Sequence, residues 1–246
     1  VSDDYQIPTA PGYPGHPGRR RIARRHMLQT LTPLYVLVRA TGLVSADGLC
    51  QVMCERTRDS ESGPGTNAMV VYLSPFEACL DAAWHALAPE RYDVLAASAF
   101  TPDELLIYQP ERLPYCLHVA WGAHDGQLVV RRDGGLLRLS SAHSAPISRL
   151  IDAIHLRIEL PVLESHERLW EQAGLYAHAE SHARMLAASD AERHRQALQA
   201  IQRIPGTARP GLPVNQVALY DVESAQWHFV ALKLFETIVQ ESGPGR

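Results

Sequence analysis

Hydrophobic and polar positions alternate in two rhythms along this chain of 246 residues. At 68–87 an apolar run, Ala68-Met-Val-Val-Tyr-Leu73, stops at Ser74 and restarts as Phe76, Leu80, Ala83, Trp84 and Leu87. That spacing marks a strand leading into one buried face of a helix. Pro75 suits the first helical position, where its missing N–H costs nothing. Ser74 and Glu77 have the form of a capping box, each side chain positioned to satisfy an orphan N–H of the first turn. Thr101-Pro-Asp-Glu104 and Ser189-Asp-Ala-Glu192 repeat the pattern. Three uses of one device argue that Ser74 is a cap and not a catalytic group.

Residues 34–40 and 92–97 alternate as strands do. Residues 49–57 fit either a helical turn or a strand following Asp47-Gly48. Between 115 and 140, Tyr115, Leu117, Val119 and Trp121 alternate with Cys116, His118 and Ala120. Asp125-Gly126 and Asp133-Gly134 supply the positive φ angles of tight turns, which predicts a three-stranded meander. Pro146 opens a helical pattern through Ile147, Leu150, Ile151, Ile154 and Ile158, which Pro161 ends. A longer helix is expected over 163–188, and a third runs from the Ser189 cap to about Ile204. A Pro-rich linker at 205–213 precedes a hairpin, 216–222 and 226–234.

The sum is an α+β fold with antiparallel sheet(s) including the meander, packed against several capped helices, with a helical segment at 146–204. Residues 1–26, rich in Pro, Gly and then Arg, read as a disordered arm. Residues 27–240 read as a single α+β globular domain. A sub-division near 145 would separate a mixed α/β part (27–145) from the helical part (146–204) and a C-terminal hairpin (214–236). Residues 241–246 read as a tail.

Composition is ordinary for a chain that buries a real core, 46% hydrophobic and 20% charged. Charge is less evenly spread. Five arginines against Asp3 and Asp4 give the first 26 residues +3, leaving −7 on the rest of a chain whose formal net charge is −4. An acidic body repels phosphate backbones, so no nucleic-acid partner is expected. Lys233 is the only lysine, an arginine bias we read as GC-rich bacterial coding. Arg19–Arg25 followed by an apolar run mimics a signal sequence. Arg39 interrupts the run before it reaches membrane-spanning length, so a cytoplasmic protein with no membrane contact is expected. Cys50, Cys54, Cys79 and Cys116 read as reduced, mostly buried thiols.

Candidate chemistry is sparse. Glu171, His178 and His182 would share one face of a continuous helix and could chelate zinc. The same face also reads as solvated, and no metal or cofactor is expected. His178-Ala-Glu180 begins a zinc-deaminase pattern, but no cysteine follows Cys116 to complete it. Cys50 and Cys54 lack a second pair at zinc spacing. Ser140-Ser-Ala-His-Ser144 sets hydroxyls beside His143, read as a polar loop and not a triad. Cys116 and His118 share a strand face and could pair. No glycine-rich phosphate loop occurs, because Leu73-Ser-Pro-Phe lacks glycine.

An early strand, Leu34-Tyr-Val-Leu-Val-Arg39, then Val70-Val-Tyr-Leu-Ser74 with a helix, then Tyr92-Asp-Val-Leu95, resembles ADP-ribosyltransferase-type NAD-binding folds over about 60 residues. The resemblance implies that Arg39, Tyr72 and Ser74 would lie near a nicotinamide. We find no convincing catalytic Glu-x-Glu or Gln-x-Glu downstream of them. The first expectation is therefore a non-enzymatic bacterial protein-binding protein, immunity-like (toxin-neutralising) or an adaptor or chaperone, whose acidic surface meets a basic partner. The alternative is an ADP-ribosyltransferase-like enzyme using the Arg39/Tyr72/Ser74 region. A shallow largest concavity would favour the first; a deep one with converging reactive groups would count against it.

Overall fold

In the computed structural model, residues 27–40, 52–57, 66–87, 91–102, 105–106, 110–147 and 153–235 are described. The arm, the tail, Cys50, the Asp47-Gly48 turn and, of the Thr101–Glu104 cap, Asp103 and Glu104 lie outside them.

The elements in chain order are β1 (Met27–Thr30), β2 (Tyr35–Arg39), β3 (Cys54–Thr57), β4 (Thr66–Val71), α1 (Pro75–His85) and β5 (Tyr92–Ala96). There follow β6 (Arg112–His124), β7 (Gln127–Val129), β8 (Arg138–Pro146), β9 (Ala153–Leu156), α2 (Leu160–Gln172), α3 (His178–Ala187) and α4 (Asp190–Gln202). The chain then forms β10 (Thr207–Ala208), β11 (Gln216–Asp221) and β12 (Gln226–Ala231).

The long strand β6 is the hub of an eight-stranded sheet. It pairs antiparallel with β7, β8 and β11 and parallel with β4. The sheet is therefore mixed, not antiparallel as the sequence pattern implied. A parallel pair needs a long crossover, and the chain between β4 and β6 supplies one in α1 and β5. β6 and β7 join through Asp125 and Gly126, both at positive φ (47° and 76°). β8 pairs along β6, while the chain ahead of it meets the chain after β7 at the bridge Val130↔Leu136. β2 pairs with β5 and is tied to the large sheet by the bridges Tyr35↔Tyr72 and Val38↔Val52.

Two helical expectations fail. Pro146 ends β8, and residues 153–156 form β9, parallel to β1, with Ile154 and Leu156 buried and His155 exposed. The helical spacing of the isoleucines contains a period-2 subset, and pairing with β1 selects it because it buries Ile154 beside Leu28. Pro161, read as a helix stop, lies instead in the first turn of α2. The single helix expected at 163–188 is two. α2 ends at Gln172, Gly174 adopts φ 78°, and α3 begins at His178. A left-handed glycine lets the chain reverse and satisfies the last carbonyls of α2, with Gly174 N–H donating to Glu171 and Leu175 N–H to Trp170. The region at 54–57 is strand, the second of the two readings.

α1 is buried almost all round. Phe76, Leu80 and Ala83 meet Trp121, Leu128, Met185, Ala197 and Tyr220. Ala78 and Ala82 face Leu37, Met53, Val70 and Tyr72. Leu87, expected on the buried face, lies past the helix end and is 69% exposed. Among the described residues, no helix is long and apolar enough to cross a membrane.

Candidate ligand pocket

A helix buried on every side must either exclude polar residues or accommodate them. α1 carries two acids, Glu77 and Asp81, and its ends open onto two different cavities.

The N-terminal end faces a cavity of about 390 Å³ between the start of α1, the α2–α3 corner and the β11–β12 turn. The capping box expected there does not form. Ser74 holds the N-cap position, but its side chain makes no capping hydrogen bond. Glu77 turns inward instead of reaching back and is 6% exposed, with Oε2 lacking any hydrogen-bond partner among the described residues. Ser189 does cap α4, accepting from the Glu192 N–H at 3.2 Å. The difference is cover. Ser189 is exposed, whereas the start of α1 lies beneath α3, whose His182 donates through Nε2 to the Leu73 carbonyl at 3.1 Å. Without a counter-charge, burial pushes the Glu77 carboxyl up to about 8. At neutral pH it is a neutral acid that can donate as well as accept.

α2 and α3 complete the wall. Burial pushes His166 down to about 4, and His178 and His182 add to that effect. The Trp170 indole N–H donates to His166 Nε2 at 3.4 Å, and the Trp170 ring stacks on His178 at 5.8 Å. From β11, Tyr220 stacks on Phe76 at 5.7 Å. Its hydroxyl is buried and, like Glu77 Oε2, has no hydrogen-bond partner among the described residues. Burial raises the Tyr220 phenol, so it stays protonated.

The C-terminal end of α1 is different. Asp81 is fully buried and accepts from Tyr72 and from Arg138 Nε at 2.6 Å. Arg138 also donates to Glu55 at 2.9 Å and to Nε2 of His85 at 3.2 Å. Burial alone would lower the guanidinium pKa, but the surrounding Tyr72, Asp81 and Glu55 outweigh it and hold Arg138 charged. A second cavity of about 320 Å³ opens here, lined by Arg39, His85, Tyr92, Arg131 and Arg138 among others. Its arginines are engaged: Arg131 pairs with Asp133 at 2.6 Å and Glu55 at 3.3 Å, and Arg39 lies 6.0 Å over the Tyr92 ring.

The residues named from sequence are dispersed. Arg39 lines the second cavity, Tyr72 is sealed against Asp81, and Ser74 lines the first. His178 and His182 both line the first cavity, while Glu171 is exposed and lies outside its wall. The Gly174 corner separates the glutamate from the histidines. Among the described residues, no group of three or more His, Cys, Asp or Glu is placed to hold a metal. Ser141 and His143 are on strand β8, not in a loop, with Ser141 Oγ and His143 Nε2 2.8 Å apart. His143 stacks on Tyr115 at 5.3 Å. His118 is buried between the rings of Tyr72 and Trp121, at 5.2 and 4.3 Å, and burial holds it well below its usual range. Burial pushes the Cys116 thiol up to about 12 and Cys79 to about 11, which removes the thiolate a nucleophile needs.

Sequence reasoning missed Glu77 as a buried acid, and missed His166, Tyr220, Asp81 and Arg138 altogether. One signal was present: Asp81 stands in Cys79-Leu-Asp-Ala-Ala83 and Arg138 in Leu136-Leu-Arg-Leu139, single charges inside apolar runs. No protein-family model, no curated protein and no solved structure matches this chain.

Proposed function

We propose that this protein binds a small organic molecule in the cavity between α1, α2 and α3. One observation carries the reading: Glu77 Oε2 and the Tyr220 hydroxyl, both buried and without hydrogen-bond partners among the described residues, belong to side chains of the same aromatic-walled cavity. Leaving a buried polar group unpaired costs about 1–3 kcal/mol, so two such groups together are costly unless something else satisfies them. A ligand with an apolar body and a polar end would do so. The volume suits a small ligand, and an apolar wall with a few converging polar groups is the usual make-up of such sites. Converging groups in this cavity also weigh against the protein-partner reading, which called for a shallow concavity. The dispersal of Arg39, Tyr72 and Ser74 weighs against the NAD-enzyme reading.

Ligand-observed NMR with a library of small aromatic and amphipathic molecules tests this. The proposal expects binders that raise the thermal midpoint and that Ser181→Trp, a substitution in the α3 wall, excludes without unfolding the protein. Binders equally tolerant of Ser181→Trp, or no binders at all, would overturn it.

A further inference from the structure

We infer that the polar end of the ligand is a cation, an ammonium carried on an apolar or aromatic body, with Glu77 as its counter-ion. The inference rests on the ligand-pocket reading and adds the sign of the ligand's charge. Three observations support it independently of one another.

The first is the charge of the wall. The described residues lining the cavity include Glu77, Glu167, Asp221 and Glu223 but neither lysine nor arginine. This holds in a chain with 23 basic residues. Arg184, on α3, is paired with Glu223 at the rim. The second is the depth of Glu77. Glu167 is exposed and would steer a cation toward the mouth. Glu77 lines the same cavity but is buried, with one oxygen unpartnered among the described residues. A carboxyl alone in an apolar wall is poor at holding an anion, because it repels one when ionised and offers a single hydrogen when neutral. Against an ammonium it ionises and gains a charge-assisted hydrogen bond where little water competes. The third is the aromatic surround. Trp170, Tyr176 and Tyr220 line the cavity, and aromatic rings attract cations through the negative centres of their faces. His166, held neutral, adds no opposing charge at pH 7.

The second cavity has the opposite character, with Arg39, Arg131, Arg138 and His85 in its wall. It carries no separate proposal, since those arginines already have acidic or aromatic partners. Its contrast with the first is nonetheless useful: an ammonium would be directed to one end of α1 and away from the other.

Three probes of nearly equal size test the sign: 2-phenylethylamine, 2-phenylethanol and phenylacetate, titrated at pH 7 by calorimetry. The expected order is ammonium tightest, then alcohol, then carboxylate, with the ammonium ahead of the alcohol by roughly tenfold or more. In Glu77→Gln the ammonium advantage should fall to about threefold or less, with the alcohol unchanged. Gln is isosteric and removes a buried acid, so the fold should persist, and far-UV circular dichroism checks that. Equal binding of amine and alcohol to the unaltered protein would leave the pocket reading standing and overturn the cation. Tightest binding by phenylacetate would overturn it as well. Glu77→Gln weakening both probes alike would remove Glu77 as counter-ion. Failure of all three probes at millimolar concentration would overturn the pocket reading and this inference together.

Discussion

Glu77 and Asp81 are two acids one helical turn apart on α1, and both are buried, yet they are accommodated in opposite ways. Asp81 meets Arg138 and the Tyr72 hydroxyl and is held as part of a charged network. Glu77 meets no cation and is held by keeping its proton. Burial penalises charge in both places; what differs is whether a partner element brings an opposite charge. β8 delivers Arg138 to the C-terminal half of α1, while α2, α3 and β11 deliver histidines and aromatic rings to the N-terminal half. One end is therefore a charge-compensated network, in which Asp81 Oδ1 still lacks a hydrogen-bond partner among the described residues, and the other is a site without a counter-charge. Undoing each mode of accommodation tests that contrast.

Removing the cation should have the largest effect. Arg138→Met leaves Asp81 buried without its cation, while Glu55 keeps Arg131, and losing one partner of a buried pair costs about 3–5 kcal/mol. Urea unfolding should show that loss. The double variant Arg138→Met/Asp81→Asn should regain a substantial part of it, because the uncompensated charge is gone. A loss under about 1 kcal/mol in the single variant would mean that the network is not what holds Asp81.

Removing the unpaired acid should have the opposite sign. The folded protein holds the Glu77 proton up to about pH 8, whereas the unfolded chain releases it near the ordinary value of 4.5. Between those values the folded state binds more protons than the unfolded state, so stability falls as pH rises. The full difference is roughly 5 kcal/mol at most. Glu77→Gln abolishes that slope and should be the more stable protein at pH 8. Stability curves at pH 5, 6.5 and 8 decide it, and an unchanged slope would mean that Glu77 is not a buried neutral acid.

How much of this was legible in the chain depends on whether a signal was local. β2, β5, α1, α4 and the strand pair flanking Glu223-Ser224 lie close to where period and turn chemistry place them. Their hydrophobic patterns have one reading each. Residues 147–158 have two, because Ile154 and Leu156 satisfy a strand as well as Ile147, Leu150, Ile151 and Ile154 satisfy a helix. Only β1, more than 100 residues earlier, resolves the choice. The α2–α3 corner needed one glycine, Gly174, in a run that otherwise favours helix. The candidate site was less legible still. His178 and His182 were singled out for metal chemistry on a helix that does not exist in that form, and they line the cavity for another reason. Glu77 was assigned to a cap because capping is a local pattern, whereas its burial follows from α3 lying across the helix start. His166 and Tyr220 come from elements distant in sequence, and only the tertiary fold brings them to Glu77.

His166 offers a sharper view of the N-terminal side of the contrast, with a smaller effect. Its folded pKa of about 4 lies below the ordinary 6.5. Between those values the unfolded chain takes up a proton that the folded protein refuses, so stability is lost as pH falls from 6.5 to 4. His166 is only half-buried, so solvent reduces the effect to roughly 2 kcal/mol. Between pH 4.5 and 6.5 this loss opposes the Glu77 slope, so His166→Gln should steepen the fall in stability with rising pH there and leave the Glu77 slope above pH 6.5 unchanged. A variant whose curve below pH 6.5 is unchanged would mean that the cavity wall is wetter than its geometry implies.

The smallest effects come from the two serines that look alike in sequence. Ser189→Ala removes the hydroxyl that accepts from the Glu192 N–H, and losing such a cap costs about 1 kcal/mol. Ser74→Ala removes a hydroxyl that makes no capping bond, so its effect should stay within about 0.5 kcal/mol, the range of substitutions away from structural features. Matched chemical-denaturation curves for the pair would test whether Ser74 is free of the structural duty its sequence suggests. Equal losses would restore Ser74 as a working cap and imply that Glu77 can turn outward to complete the box. That would dissolve the difference between the two ends of α1. Unequal losses would leave Ser74 where the cavity places it, at the wall of the pocket beside Glu77, with its hydroxyl available to a ligand.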